Sequence, residues 1–136
     1  MILYKVNKSI EYANTLIELL SSTIHYCNIP YGTLSIGNSV FSSCSYLKQV
    51  IIPDTVTSIG NESFYNCQTL SIVELPDSIT SIGDRAFYGC TALSSLVVPD
   101  TVTSIGENAF YNVEHVYYNG PATDSSGNNW GAKKLN

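Results

Sequence analysis

Apolar positions along this chain follow two alternating spacings, and the pair recurs every 23 residues. The run Leu47-Lys48-Gln49-Val50-Ile51-Ile52-Pro53 alternates apolar and variable positions, the period of a strand with one buried face. Proline ends the run because it has no N–H to give to a ladder. The next stretch, from Val56 through Ile59-Gly60 to Ser63-Phe64, spaces its apolar residues by three to five positions. It predicts a turn, a short extended piece and a helical or 3-10 turn, with Gly60 supplying a positive φ.

The same unit returns down the chain. Pro30, Pro53, Pro76 and Pro99 form one column, Ile36, Ile59, Ile82 and Ile105 a second, and Gly37, Gly60, Gly83 and Gly106 follow the isoleucines. Phe41, Phe64, Phe87 and Phe110 keep step, as do Leu47, Leu70 and Leu93. One unit cannot bury its apolar face alone, whereas stacked units superimpose identical columns into a continuous core. Strand segments at 24–29, 47–52, 70–75, 93–98 and 113–118 then predict a parallel sheet of five short strands, roughly 20 Å along the stack.

Both ends depart from the pattern, as terminal repeats do. Ile10, Ala13, Leu16, Ile17 and Leu20 recur at helical spacing, so residues 1–23 are expected to form an amphipathic helical cap. In the first unit Thr33 and Leu34 exchange the positions held by Val56 and Thr57. At the far end Val113-x-x-Val116-x-Tyr118 fits the strand pattern only with three residues deleted, the expected cysteine among them. The solenoid is therefore placed at 24–120 and a capping loop or tail at 121–136, with Trp130 folding back as a plug.

Written out, the unit resembles the BspA-like branch of leucine-rich repeats. Val56-Thr57-Ser58-Ile59-Gly60, Ala86-Phe87-Tyr88-Gly89-Cys90 and Val102-Thr103-Ser104-Ile105-Gly106 carry the likeness, which covers about residues 24–120. Val116-Tyr117-Tyr118-Asn119-Gly120 and Trp130-Gly131-Ala132-Lys133 are similar to a terminus that recurs in such proteins. The fold expected is an α/β-type repeat solenoid: a right-handed leucine-rich-repeat coil of short parallel strands, turns and short helical or 3-10 segments. The resemblance also implies a surface or secreted role in adhesion to host matrix proteins or other cells, an implication by analogy because such folds do not determine function.

Composition narrows the partners. Six basic residues against eleven acidic ones give a net charge of −5, which leaves no basic stripe for nucleic acid or an anionic membrane. No apolar run reaches the ~20 residues of a membrane span, and Met1 to Leu20 lacks a basic end followed by an apolar segment, so no signal peptide is expected in this chain. The partner expected is a protein or glycoprotein, with a glycan as a second ligand class. The rival reading is a structural module that self-associates within a larger surface or particle complex.

Candidate chemistry is sparse. Cys44, Cys67 and Cys90 share a column and Cys27 falls in an inward strand column, the pattern of buried thiols acting as small apolar residues. Zinc needs closely spaced cysteine pairs, which are missing. His25 and His115 stand at opposite ends of the stack and are read as surface residues; no nucleophile, base and acid are brought together by spacing. No catalytic residue, cofactor or metal is assigned. Asp54, Asp77 and Asp100 form a column that is read as turn-starting aspartates bonding their own backbone.

Two faces remain for binding. The variable strand positions Lys48, Gln49, Ile51, Ser71, Ile72, Glu74, Ser94, Ser95 and Val97 are the candidate protein-binding face, because apolar groups left exposed on a regular sheet are otherwise a liability. The column Tyr65, Tyr88 and Tyr111 is the candidate aromatic face, suited to protein or sugar contact or to packing ring on ring.

Overall fold

A computed structural model describes residues 25–136. They form a parallel-strand solenoid of about five turns. The amphipathic helix expected over 1–23 lies outside the described residues.

Each turn contributes a strand to one side of the coil. β1 (Tyr26–Asn28), β3 (Gln49–Ile51) and β5 (Ile72–Glu74) pair in parallel, with Tyr26 opposite Gln49 and Gln49 opposite Ile72. β7 (Leu96–Val97) and β9 (His115–Tyr117) pair likewise, Leu96 with Val116. That offset of 20 residues is the repeat less the three deleted positions. A second sheet, order β2-β4-β6-β8, is made of the Ser-Ile pairs Ser35–Ile36, Ser58–Ile59, Ser81–Ile82 and Ser104–Ile105. The five expected strands are therefore present, but as two sheets separated between β5 and β7 instead of one.

No α-helix occurs among the described residues, so the mixed α/β character expected of each unit is replaced by turns. Hydrogen bonding supplies the reason. From Glu62 to Cys67 alternate amides bond forward to the next turn of the coil, Glu62 to Asp84 O, Phe64 to Ala86 O and Asn66 to Tyr88 O. Those between bond three residues back, Tyr65 to Glu62 O and Cys67 to Phe64 O. A chain that shares its donors in this way cannot run an i→i−4 ladder. Left-handed residues at Glu62 (φ 55°) and Asn66 (φ 54°) interrupt it further.

The repeating glycines serve a purpose other than the one expected. None of Gly37, Gly60, Gly83 or Gly106 has a positive φ. Instead Asn38 Oδ1 accepts the Asn61 amide at 2.8 Å, Asn61 Oδ1 that of Asp84 at 2.9 Å and Asp84 Oδ1 that of Glu107 at 2.9 Å. A Cβ on Gly60 would stand 2.6 Å from Asn38 Oδ1, so glycine makes room for the ladder of its neighbours.

The core is columnar. Phe41, Phe64, Phe87 and Phe110 stack with centroid spacings of 5.0, 5.1 and 6.2 Å, and Trp130 closes the column edge-on to Phe110. Trp130 is buried. Past a 3-10 turn at Asn129–Gly131, β10 (Lys134–Leu135) pairs with β9 and covers its open edge, a strand that sequence spacing does not show. All four cysteines are buried and unbridged; Cys67 Sγ donates to Phe41 O and Cys90 Sγ to Phe64 O.

Candidate functional site

Among the described residues the strand side carries a partly apolar exposed surface. Alternation sends Val50 and Val73 inward and leaves Ile51, Ile72 and Val97 outward, 51%, 48% and 66% exposed. Lys48, Ser71, Glu74, Ser94 and Ser95 are exposed with them, and Gln49 is half-buried. Register sets Ile51 directly against Glu74, and Gln49 against Ile72. Of the candidate strand positions, Gln49, Ile51, Ile72 and Glu74 thus share one face of the first sheet, and Val97 lies on the next sheet.

Across that face the sheet is interrupted. β5 ends one sheet and β7 ends the other, and the space between them is an open cleft of about 370 Å³. Ile72, Glu74, Ser95 and Val97 line it from the candidate face. Leu75, Asp77 and Pro99 also line it and were not among the face residues expected from the sequence. A signal existed: columns that hold Val50 and Val73, or Ile29, Ile52 and Val98, carry leucines at 96 and 75. Leu75 is half-buried where Ile52 and Val98 are buried, and Val73 is 8% exposed where Val50 and Leu96 are 1%.

The cleft is acidic. Among the described residues Glu74 and Asp77 belong to no ion pair; the two ion pairs there, Arg85–Glu62 at 3.3 Å and Lys133–Glu114 at 3.0 Å, lie elsewhere. Asp54, Asp77 and Asp100 are exposed and make no side-chain hydrogen bond among the described residues, contrary to the turn role expected of them. Their turns are closed by backbone, Val56 N to Pro53 O and Ile79 N to Pro76 O. Hydroxyls bind the turns together, Thr55 to Thr33 O, Ser78 to Val56 O and Thr101 to Ile79 O. The aspartates are left with their charge in solvent.

The tyrosine column packs on itself. Tyr65 and Tyr88 stack at 5.0 Å, Tyr88 and Tyr111 at 4.5 Å, with planes within 15° of parallel. Ring faces that would hold a sugar are covered by the next ring, except at the ends of the column.

Little here supports bond-making chemistry. Burial pushes the Cys27, Cys44 and Cys90 thiols up to about 12, and Cys67 upward as well, so none is a thiolate nucleophile at neutral pH. His25 is exposed on the first described strand side; His115, expected at the surface, is half-buried, stacked on Tyr117 at 4.5 Å and 2.7 Å from Asn136 Nδ2. Among the described residues no three of His, Cys, Asp and Glu converge as metal ligands, and no helix is long and apolar enough to cross a membrane.

Columns of identical residues and short strands that recur with every turn define a repeat solenoid of the leucine-rich class, a class that suggests a protein-interaction module. The chain belongs to the BspA type leucine rich repeat family, which it matches in 6 copies over residues 8–126. Among solved structures it is similar to a leucine rich cell surface protein of Faecalibacterium prausnitzii A2-165, at 30% identity and a TM-score of 0.71 over 82% of this chain and 31% of that one. It is also similar to the pneumococcal vaccine antigen PcpA, at 25% identity and TM-score 0.67 over 71% of this chain and 25% of that one. A leucine-rich repeat protein of Bacteroides ovatus matches at 29% identity and TM-score 0.55, over 72% and 37%. The chain spans about a third of the first of these and a quarter of the second. No curated protein matches it.

Proposed function

We propose that the chain is a non-catalytic recognition module that binds a protein or glycoprotein through its strand face, in the manner of a cell-surface adhesin. The carrying observation is that Ile51, Ile72 and Val97 stand exposed on the strand side of the coil, as Glu74 and Lys48 do. Apolar groups grouped on an ordered sheet gain most from being covered, and a surrounding polar rim gives orientation. Support for the surface setting comes from the F. prausnitzii relative, itself a cell surface protein. The strand face is preferred to the tyrosine column because Tyr65 and Tyr88 already spend their faces on one another.

The test is binding of the purified chain to a panel of matrix glycoproteins and glycans, with Ile72→Asp as the discriminating variant. Saturable binding that Ile72→Asp weakens at least about tenfold, with an unchanged melting temperature, is expected from a half-exposed contact residue. Undiminished binding by Ile72→Asp overturns the strand-face assignment. Light scattering reads the assembly alternative directly: an oligomer that Ile72→Asp converts to monomer would make the same face a self-association surface.

A further inference from the structure

We infer that the cleft between β5 and β7 is the specificity subsite of this face, and that it takes a lysine or arginine from an extended segment of the partner protein, flanked by a branched apolar residue. The inference rests on the strand-face reading above and adds the chemistry of the occupant.

Three observations meet at the cleft. First, it is bounded by two strands that do not pair with each other, although each pairs on its other side. Cα atoms of the two strands still approach within 8 Å, less than the ~9.6 Å that an inserted strand needs, so an occupant lies across the open mouth and enters by its side chains. Second, its apolar wall and its charge are side by side. Ile72 and Val97 are exposed at the rim, and Glu74 and Asp77 belong to the same turn with no cation paired to them among the described residues. A lysine or arginine fits both parts at once, since its methylene stem lies along apolar surface while its head reaches a carboxylate. Third, charge selects the sign of the occupant. Asp54 and Asp100 flank Asp77 along the stack, and the chain as a whole carries −5, so an acidic segment is repelled and a cationic one drawn in. The volume of about 370 Å³ holds side chains from a short segment but no folded domain.

A displayed library of random peptides, about ten residues long as suits an extended segment, is selected on the immobilised chain and on three variants. Glu74→Gln/Asp77→Asn removes the cleft's charge, Glu107→Gln removes one exposed charge away from it, and Ile72→Asp spoils the apolar rim. Enrichment of lysine or arginine beside valine, isoleucine or leucine is expected on the unaltered chain and on Glu107→Gln. The double variant is expected to lose it, with selected peptides binding about tenfold more weakly, the effect of deleting charge-assisted contacts in a solvated cleft. Equal enrichment on the double variant, or selection of acidic, purely apolar or no peptides, overturns the inference. If the glycoprotein panel is bound and Ile72→Asp abolishes that binding while the library shows no cationic preference, the strand-face reading stands and the cationic subsite alone is lost.

Discussion

Replacing Gly60 with alanine puts a methyl group where the preceding turn of the coil already has atoms. The added Cβ would fall 2.6 Å from Asn38 Oδ1, 2.8 Å from Asn38 N and 2.8 Å from Gly37 C. Two of those three are backbone atoms, so the neighbour cannot yield by changing rotamer. Forcing one carbon into a packed site costs about 1–3 kcal/mol. Alanine also stiffens the unfolded chain, which favours folding by about 0.4–1 kcal/mol where φ is compatible, as it is here. The clash is the larger effect, leaving a net loss of about 1–2 kcal/mol. For a chain of this size that lowers the melting temperature by roughly 3–10 °C. Urea titration followed by circular dichroism measures it directly. Adding Asn38→Ala to Gly60→Ala is expected to restore only part of the loss, because it removes the Oδ1 contact and leaves the backbone ones. A neutral or stabilised Gly60→Ala would refute the claim that close approach between turns determines the glycine column.

Phe87→Ala, at a fully buried ring stacked between Phe64 and Phe110, is expected to cost about 3–5 kcal/mol, and Tyr88→Ala in its half-buried stack roughly 1–2 kcal/mol, both read by urea denaturation. Ser63→Ala is expected to stabilise by about 1 kcal/mol, since the Ser63 hydroxyl is buried without a partner in a column that elsewhere holds Ala86 and Ala109; a loss on the same titration would show an unseen bond. The thiols are expected to resist a disulfide reagent until the chain unfolds. Their folded values lie above the ordinary 9.0, so the stability they contribute is complete below about pH 9 and is lost as pH rises toward about 12; rapid labelling of the folded chain at pH 8 would contradict their burial. Asp124→Ala is expected to shift the emission of Trp130, the single tryptophan, to the red. Burial would raise the Asp124 carboxyl, but bonds from the Ser126 hydroxyl and the Trp130 and Ser126 amides outweigh it and hold the group below 3.8, so its grip on Trp130 is present above that pH and fades as acid protonates it.

The periodicity made the solenoid legible because every apolar column in a stack must repeat with the turn. Phe64, Leu70 and Ile59 could be read inward, and Ile51 and Ile72 outward, from alternation alone. Three things stayed hidden, each for a physical cause. The purpose of Gly60 depends on an atom of Asn38, 22 residues earlier, whose bond is formed between turns and leaves no local trace. Helical and turn conformations have similar apolar spacing over five residues, and only the donors shared with the next turn decide between them. The strand β10 pairs two residues at the end of a polar tail, too few for alternation to show.

The break between β5 and β7 is informative because everything else joins the same two turns. β6 and β8 pair across them, Ser81 with Ser104 and Ile82 with Ile105, the tyrosine stack runs through at 4.5 Å, and the phenylalanine stack continues with its spacing widened to 6.2 Å. The two turns are therefore held on the turn side and part only on the strand side. Strand edges that face an open cleft can be reached by solvent, so the cost of losing the ladder there is the small net value of each bond and not the full penalty of a buried orphan. In a stack built from repeated columns, features that tell one turn from another must come from departures. Those in the first and last units fall at ends, where capping accounts for them. Leu75 and Leu96 are an interior departure, and they coincide with the place where the sheet opens and where Glu74 and Asp77 have no ion-pair partner among the described residues. Restoring the column by Leu75→Ile and Leu96→Val is accordingly expected to close the ladder and weaken peptide capture together, whereas closure without loss of capture would separate the cleft from recognition.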